Sequence, residues 1–157
     1  RRRRFSLIEL LVVMAIIVLL ASLVAATALY ARRRAREGRT RVQLKTIEAA
    51  LVQNYSENSF YPGPYNGRLK IADIEALVDA QGNKYIDLTN EVFSETVRNG
   101  TYFTDAFGNS FYYRSQQPAG QMVNAKSFDL WSYGLDGQEG DMMDENNDDI
   151  TNWKRPN

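Results

Sequence analysis

Apolar and polar positions fall into three regimes along the chain. From Phe5 to Tyr30 only Glu9 is charged, and Leu10–Ala21 is unbroken apolar sequence. A helix of those 26 residues would be about 39 Å long at 1.5 Å per residue. A hydrocarbon core of about 30 Å needs around 20 residues. The segment is apolar all round rather than along one stripe, so it reads as a membrane span and not as a surface helix. It also exceeds the roughly 7–15 apolar residues of a cleaved secretory signal. A long buried core helix is the soluble alternative.

Between Val42 and Tyr55 the pattern becomes amphipathic. Leu44, Ile47, Leu51 and Tyr55 recur at helical spacing, while Gln43, Lys45 and Glu48 are expected to face away. The strong breaker before Ser56 is Gly38, tolerated inside a helix at about 1 kcal/mol. One helix of about 50 residues is therefore predicted, its second half carrying a stripe that needs a partner layer. Asn58–Pro64 ends it, because proline and glycine cluster there.

Beyond the helix the signals are shorter. Ile71, Ile74, Leu77 and Val78 suggest a second helix over Ile71–Ala80 that Gly82 stops, and Tyr85–Leu88 is a candidate strand. Gly108-Asn109 supplies a turn before a strand at Phe111–Arg114, and a second strand is expected at Ser127–Tyr133. Joined through Gln116–Ala125, the two would form an antiparallel pair lying on the helix stripe. Their aromatic residues read first as core. Electron-conducting stacks and platforms for single-stranded nucleic acid are the alternatives.

Composition narrows the chemistry. The chain has 157 residues, 44% hydrophobic and 24% charged, with no cysteine and no histidine. Disulfides, thiolate metal sites and Ser-His-Asp or Cys-His catalysis are thereby excluded. The net charge of zero hides an asymmetry. Ten arginines stand against Glu9 and Glu37 between Arg1 and Arg41, whereas Asp136–Asp149 holds seven acids and no base. The neutral total and the acidic end argue against a nucleic-acid partner. No catalytic residue is assigned, since the adjacent Asp148 and Asp149 lie on a loop without a recognisable cleft.

The acidic end offers only oxygen ligands. Three glycines permit tight turns around Asp136–Gly140, and oxygen-rich loops suit hard cations such as calcium. An EF-hand does not fit. Counted from Asp144, position six is Asp149 instead of glycine and position twelve is Arg155 instead of glutamate. A solvated acidic loop is the competing reading. Glu9 is likewise open on its own residues: a buried acid that needs a partner, or a complement to the helix dipole.

Arg1–Arg4 followed by Phe5-Ser6-Leu7-Ile8-Glu9 and a long apolar run resembles the amino-terminal signal of type IV pilins and of type II secretion pseudopilins. The helix end at Leu44–Pro62 with its Tyr61-Pro62 turn, the Asp105–Tyr113 segment, and the Ser132–Gly140 block with Asp148-Asp149-Ile150-Thr151-Asn152-Trp153 are most similar to the major pseudopilins (protein G type) of type II secretion systems. The resemblance covers about residues 1–62 and 102–153, and 63–101 match loosely.

The resemblance implies an α+β pilin-like fold: a long amino-terminal helix packed on a small antiparallel sheet, with a carboxy-terminal metal loop. It implies a basic leader remnant at 1–4, a transmembrane and assembly helix at 5–30, and a head at 31–157 with a calcium loop at 132–153. Prepilin peptidase would cut between Arg4 and Phe5, and Phe5 would be methylated; the family has glycine where this chain has Arg4. If Arg1 is instead the mature terminus, Arg1–Arg4 could supply the counter-charge of Glu9. In the family pattern, the acid matching Glu9 sets subunit register by pairing with a neighbour's amine.

Calcium would be held by Asp136, Asp148, Asp149 and the carbonyl of Tyr133. An insertion at Asp141–Asn147 leaves the other ligands unassigned. The implied role is a structural filament subunit that drives protein export. Its partners would be copies of itself, minor pseudopilins, the inner-membrane assembly platform and, before assembly, membrane lipid. The head would be periplasmic, although the positive-inside rule alone would put the six arginines after the span in the cytoplasm. A surface pilus subunit and a single-pass membrane-anchored binding module are the alternative functions.

Overall fold

The computed structural model describes residues 6–63, 65–87, 93, 102–116, 122–140 and 148–153. The chain divides into two compact units, 1–35 and 36–157. Helix α1 runs from Leu7 to Asn58, as the uninterrupted pattern predicts, and it continues through the exposed Gly38.

In the first unit the helix is apolar on every side up to Tyr30 and its large apolar side chains lie open, from Leu7 at 81% exposure down to Val12 and Val13 at 49%. It contains an 18-residue window of mean hydropathy 3.0, none of it buried. A surface this apolar needs a cover of lipid or of other protein.

The second unit folds around the amphipathic half. Strands β1 (Tyr65–Arg68), β2 (Phe111–Ser115), β3 (Phe128–Ser132) and β4 (Ile150–Thr151) form one antiparallel sheet in chain order, and a short helix α2 spans Ile71–Glu75. In β2, Phe111, Tyr113 and Ser115 point inward while Tyr112 and Arg114 alternate outward. Leu44, Ile47, Ala50 and Leu51 of α1 join Phe111, Tyr113, Phe128, Leu130, Leu69 and Phe103 in one buried cluster. The α+β architecture, the β2–β3 pair and the aromatic contribution to the core agree with the sequence pattern.

Several expectations are corrected. Tyr55 is exposed and Gln43 is buried, reversing their predicted faces. Steps of four residues advance about 400°, so along a 47, 51, 55 series Tyr55 has drifted about 80° from Ile47, whereas Gln43, one such step away on the other side, stays within the stripe. The buried face is Thr40, Gln43, Leu44, Ile47, Ala50, Leu51 and Asn54. Helix α2 stops at Glu75, not Ala80. Asp79 instead accepts N–H bonds from Gln81 and Asn83, each at 2.8 Å, a local arrangement that competes with helix.

Tyr85–Leu88 is not a strand within its described part: Lys84 bridges Val78, and Tyr85 and Ile86 lie in a bend. Leu88 lies outside the described residues. Strands β1 and β4 were not anticipated, because Asn66-Gly67 read as loop and Ile150-Thr151 is two residues long. The Gln116–Ala125 connection is described at Gln116 and from Met122 onward.

Candidate functional sites

Among the residues of the amino-terminal signal, Arg4 and Phe5 lie outside the described residues. Glu9 sits in the first turn of α1, where its Oε2 accepts the backbone N–H of Ser6 at 2.9 Å. Ser6 precedes the first helical residue and Glu9 is the third within it, so the pair uses the acidic arm of a capping box. The Ser-x-x-Glu spacing was the sequence signal for this role.

The acidic loop is built from its roots outward. Buried Ser132, at the end of β3, donates its hydroxyl to the Asp105 carboxylate. The other oxygen of Asp105 accepts the N–H groups of Phe107 and Asn109, each at 2.8 Å. Asn109 Nδ2 in turn donates to the Gly134 carbonyl at 2.6 Å, and Gly134 N–H donates to Ser132 Oγ at 3.2 Å. Two separate turns are thereby tied together, and Ala106 N–H reaches Thr40 Oγ1 on α1 at 3.2 Å. Burial pushes the Asp105 carboxyl above its ordinary range, against the opposing pull of the Ser132 and backbone hydrogen bonds.

Asp105 and Ser132 are structural residues that the motif reading passed over. The visible signal was an acid four residues before Asn109 in a glycine-containing turn.

The proposed ligands sit on that root. Asp148 Oδ2 accepts the N–H of Leu135 at 2.6 Å and of Asp136 at 3.1 Å. Asp136 Oδ1 accepts Gln138 N–H at 2.9 Å, and Asp149 Oδ2 accepts Gly140 N–H at 3.3 Å. Gly134 has φ of 62°, and a Cβ there would collide with the Asp148 backbone carbonyl. Asp136 and Asp148 are thus brought into one turn, and Asp149 is tied to its far end at Gly140.

Tyr133 stacks on Tyr112 with centroids 4.3 Å apart, and its hydroxyl donates to Glu139 at 3.3 Å. Burial foremost, with the Tyr112 and Glu139 contacts, raises the Tyr133 phenol. Among the described residues no three acids converge as a metal-holding group; the Asp141–Asn147 insertion lies outside them. The donors present are all oxygen, which fits a hard cation in type.

On the outer sheet face Tyr112 also stacks on Trp131 at 5.6 Å, Arg114 lies 5.1 Å over the Trp131 ring, and Trp153 meets it edge-on at 6.1 Å. Asp129, buried opposite Arg114 in the register, accepts the N–H groups of Val123 and Asn124 at 2.9 and 2.8 Å. These contacts close the face with protein, as the core reading of the aromatics expects.

An apolar helix long enough to cross a bilayer, continuing as the spine of a small four-stranded head, defines a helix-and-head subunit of α+β class. The family model described as type II secretion system (T2SS), protein G, matches residues 28–153. Three curated relatives carry the name type II secretion system core protein G. That of Klebsiella pneumoniae is 30% identical over 157 residues, covering 98% of this chain and 95% of its own. Those of Pseudomonas aeruginosa and Vibrio cholerae are 30% and 29% identical over 153 residues, covering 95% of this chain and 93% and 90% of theirs. No solved structure gives a significant match. The chain belongs to the protein G family of type II secretion systems.

Proposed function

We propose that the chain is the major pseudopilin of a type II secretion system, a structural subunit whose polymerisation into a pseudopilus drives protein export. Membership of the protein G family supports this role. The single physical observation that carries it is the 0% burial of the apolar window of α1. That surface is matched to lipid while the subunit waits and to sibling helices once it has assembled. The contacts are heterologous and non-closing, which generates a helical fibre. The head would stand in the periplasm, and the chain itself would catalyse nothing, force coming from nucleotide hydrolysis elsewhere in the machine.

Glu9 would set axial register, because an acid inside an apolar bundle is stable only where a positive partner meets it. The peptidase would release Phe5, whose amine would be that partner. In the head, Asp136, Asp148, Asp149 and the Tyr133 carbonyl would hold calcium. The cation would relieve repulsion among the loop carboxylates and stiffen the 134–140 turn. The reading is tested by expressing the full chain with the secretion machinery of its host. Negative-stain images should show fibres containing this chain, and its deletion should abolish export. A chain that stays monomeric in the membrane under those conditions overturns the proposal.

A further inference from the structure

Helix α1 carries a second feature on the side opposite its buried stripe. Arg41, Val42, Lys45, Thr46 and Ala49 line a shallow groove of about 460 Å³. At 100° per residue these positions centre roughly 160° from the buried stripe. The lining is mostly carbon. Val42 is 53% exposed, Ala49 is exposed, and Thr46 turns its hydroxyl back onto the Val42 carbonyl at 3.0 Å. The aliphatic stems of Arg41 and Lys45 flank this floor and carry positive charge at their tips; the Lys45 ammonium pairs with Glu48 of the same helix at 2.5 Å, an exposed ion pair that a neighbour's acid would have to share.

The acidic loop offers the converse. Leu135 is an exposed large apolar side chain in this loop. Glu139 stands exposed beside it. The Asp148 carboxylate holds the backbone of Leu135 and Asp136 in place, so the knob is presented by a fixed turn. The loop is rooted through Asn109 and Ala106 to Thr40, on the buried side of α1. It therefore cannot fold over to its own groove on the opposite side.

We propose that this groove is the docking site for the 135–139 turn of a second copy of the chain. Leu135 of the neighbouring copy sits on Val42 and Ala49, and its Glu139, which is not among the calcium ligands proposed above, faces Arg41 and Lys45. Charge complementarity and the apolar knob-and-floor match select this occupant. Because groove and knob are different surfaces of one chain, each copy binds one neighbour and is bound by another. The proposal rests on the filament reading and specifies a contact within it. It also gives the net-neutral chain a use for its charge asymmetry.

The chain has no cysteine, so engineered thiols report this contact alone. The full chain carrying Val42→Cys and Leu135→Cys, expressed with its secretion machinery and mildly oxidised, should give a ladder of dimers and higher multimers on non-reducing gels. Each single variant should give none beyond dimer. In the same cells Lys45→Glu should weaken the ladder about two- to fivefold, the reach of an exposed ion pair, and adding Glu139→Lys should restore it. Fibres without a ladder overturn this contact and leave the filament reading standing. A cysteine-free parent that never polymerises overturns both. If the thiol pair itself blocks assembly, the charge exchange decides: fibre yield restored by Glu139→Lys supports the contact, and no restoration overturns it.

Discussion

Glu9 closes the amino-terminal turn of its own helix by accepting the Ser6 N–H at 2.9 Å. The carboxylate therefore has a local role before any neighbour arrives, and both readings of it from sequence can hold in succession. The cap needs only an acceptor, whereas subunit register needs a charge. Glu9→Gln keeps an acceptor and should leave the helix start and membrane insertion intact while assembly fails. Fibre counts by electron microscopy and membrane fractionation separate the two effects. Fibres at parental yield in the Gln variant would remove the charge from the mechanism.

The buried stripe makes unequal demands on adjacent turns of α1. Ile47 is fully buried and Tyr55 is 47% exposed, stacked on Tyr61 with centroids 4.5 Å apart. Ile47→Ala should cost about 2–5 kcal/mol. Tyr55→Ala should cost about 1 kcal/mol, the worth of a partly exposed aromatic pair. Thermal unfolding of the full chain in detergent, followed by near-ultraviolet circular dichroism, should rank them in that order.

Gly134 cannot take a side chain. Its φ of 62° and the Asp148 carbonyl above it both exclude Cβ, and left-handed backbone at a non-glycine residue costs about 1–3 kcal/mol. Gly134→Ala should lower the melting temperature by several degrees. Gly108 has φ of 96° but open space around it, so Gly108→Ala should show the backbone penalty without the collision and fall by less.

Asp105 gives the head a pH dependence of defined sign. Burial holds its folded carboxyl above the ordinary value of 3.8, so the folded state binds its proton more tightly than the unfolded chain does. The stability it contributes is fully present below 3.8 and is lost as pH rises through the raised folded value. Asp105→Asn, which can keep hydrogen bonds to the turn and to Ser132, removes this dependence. The melting temperature of the parent minus that of the variant should therefore fall as pH rises through that window. A difference that stays constant with pH would show that Asp105 titrates alike in both states.

Calcium should act on the head through the acidic loop. At a free concentration one hundred times its dissociation constant, a ligand specific to the folded state stabilises by about 2.7 kcal/mol. Melting in millimolar calcium should thus exceed melting in chelator by several degrees, and Asp148→Asn should shrink the gap. Identical curves in both conditions would remove the metal from the proposed function.

The parts written as long patterns were the ones the sequence displayed clearly. Fifty-two helical residues could be read because an unbroken apolar run and then a helical stripe continue without a strong breaker, and the strand at Phe111 because a Gly108-Asn109 turn precedes a run of β-prone aromatics. Thr40, Gln43 and Asn54 are buried polar members of the stripe, invisible to an apolar pattern. Their burial depends on tertiary partners, such as the Phe60 carbonyl that accepts from Asn54 Nδ2 at 2.7 Å. Strand β1 pairs with β2, although the Asn66-Gly67 at its middle disfavours extension by itself. The loop motif pointed to Asp136 and Asp148 from neighbouring residue types, and the structure brings the two into one turn. The tie to Asp105 bridges 27 residues and carries no local signature.

The sheet ends in strands of four and two residues, Tyr65–Arg68 and Ile150–Thr151. Backbone groups along such short margins offer little template for runaway strand addition. A chain whose proposed role is to polymerise with its own copies has to avoid strand-to-strand aggregation. With so little β margin to add to, association is left to the helix faces and side-chain surfaces.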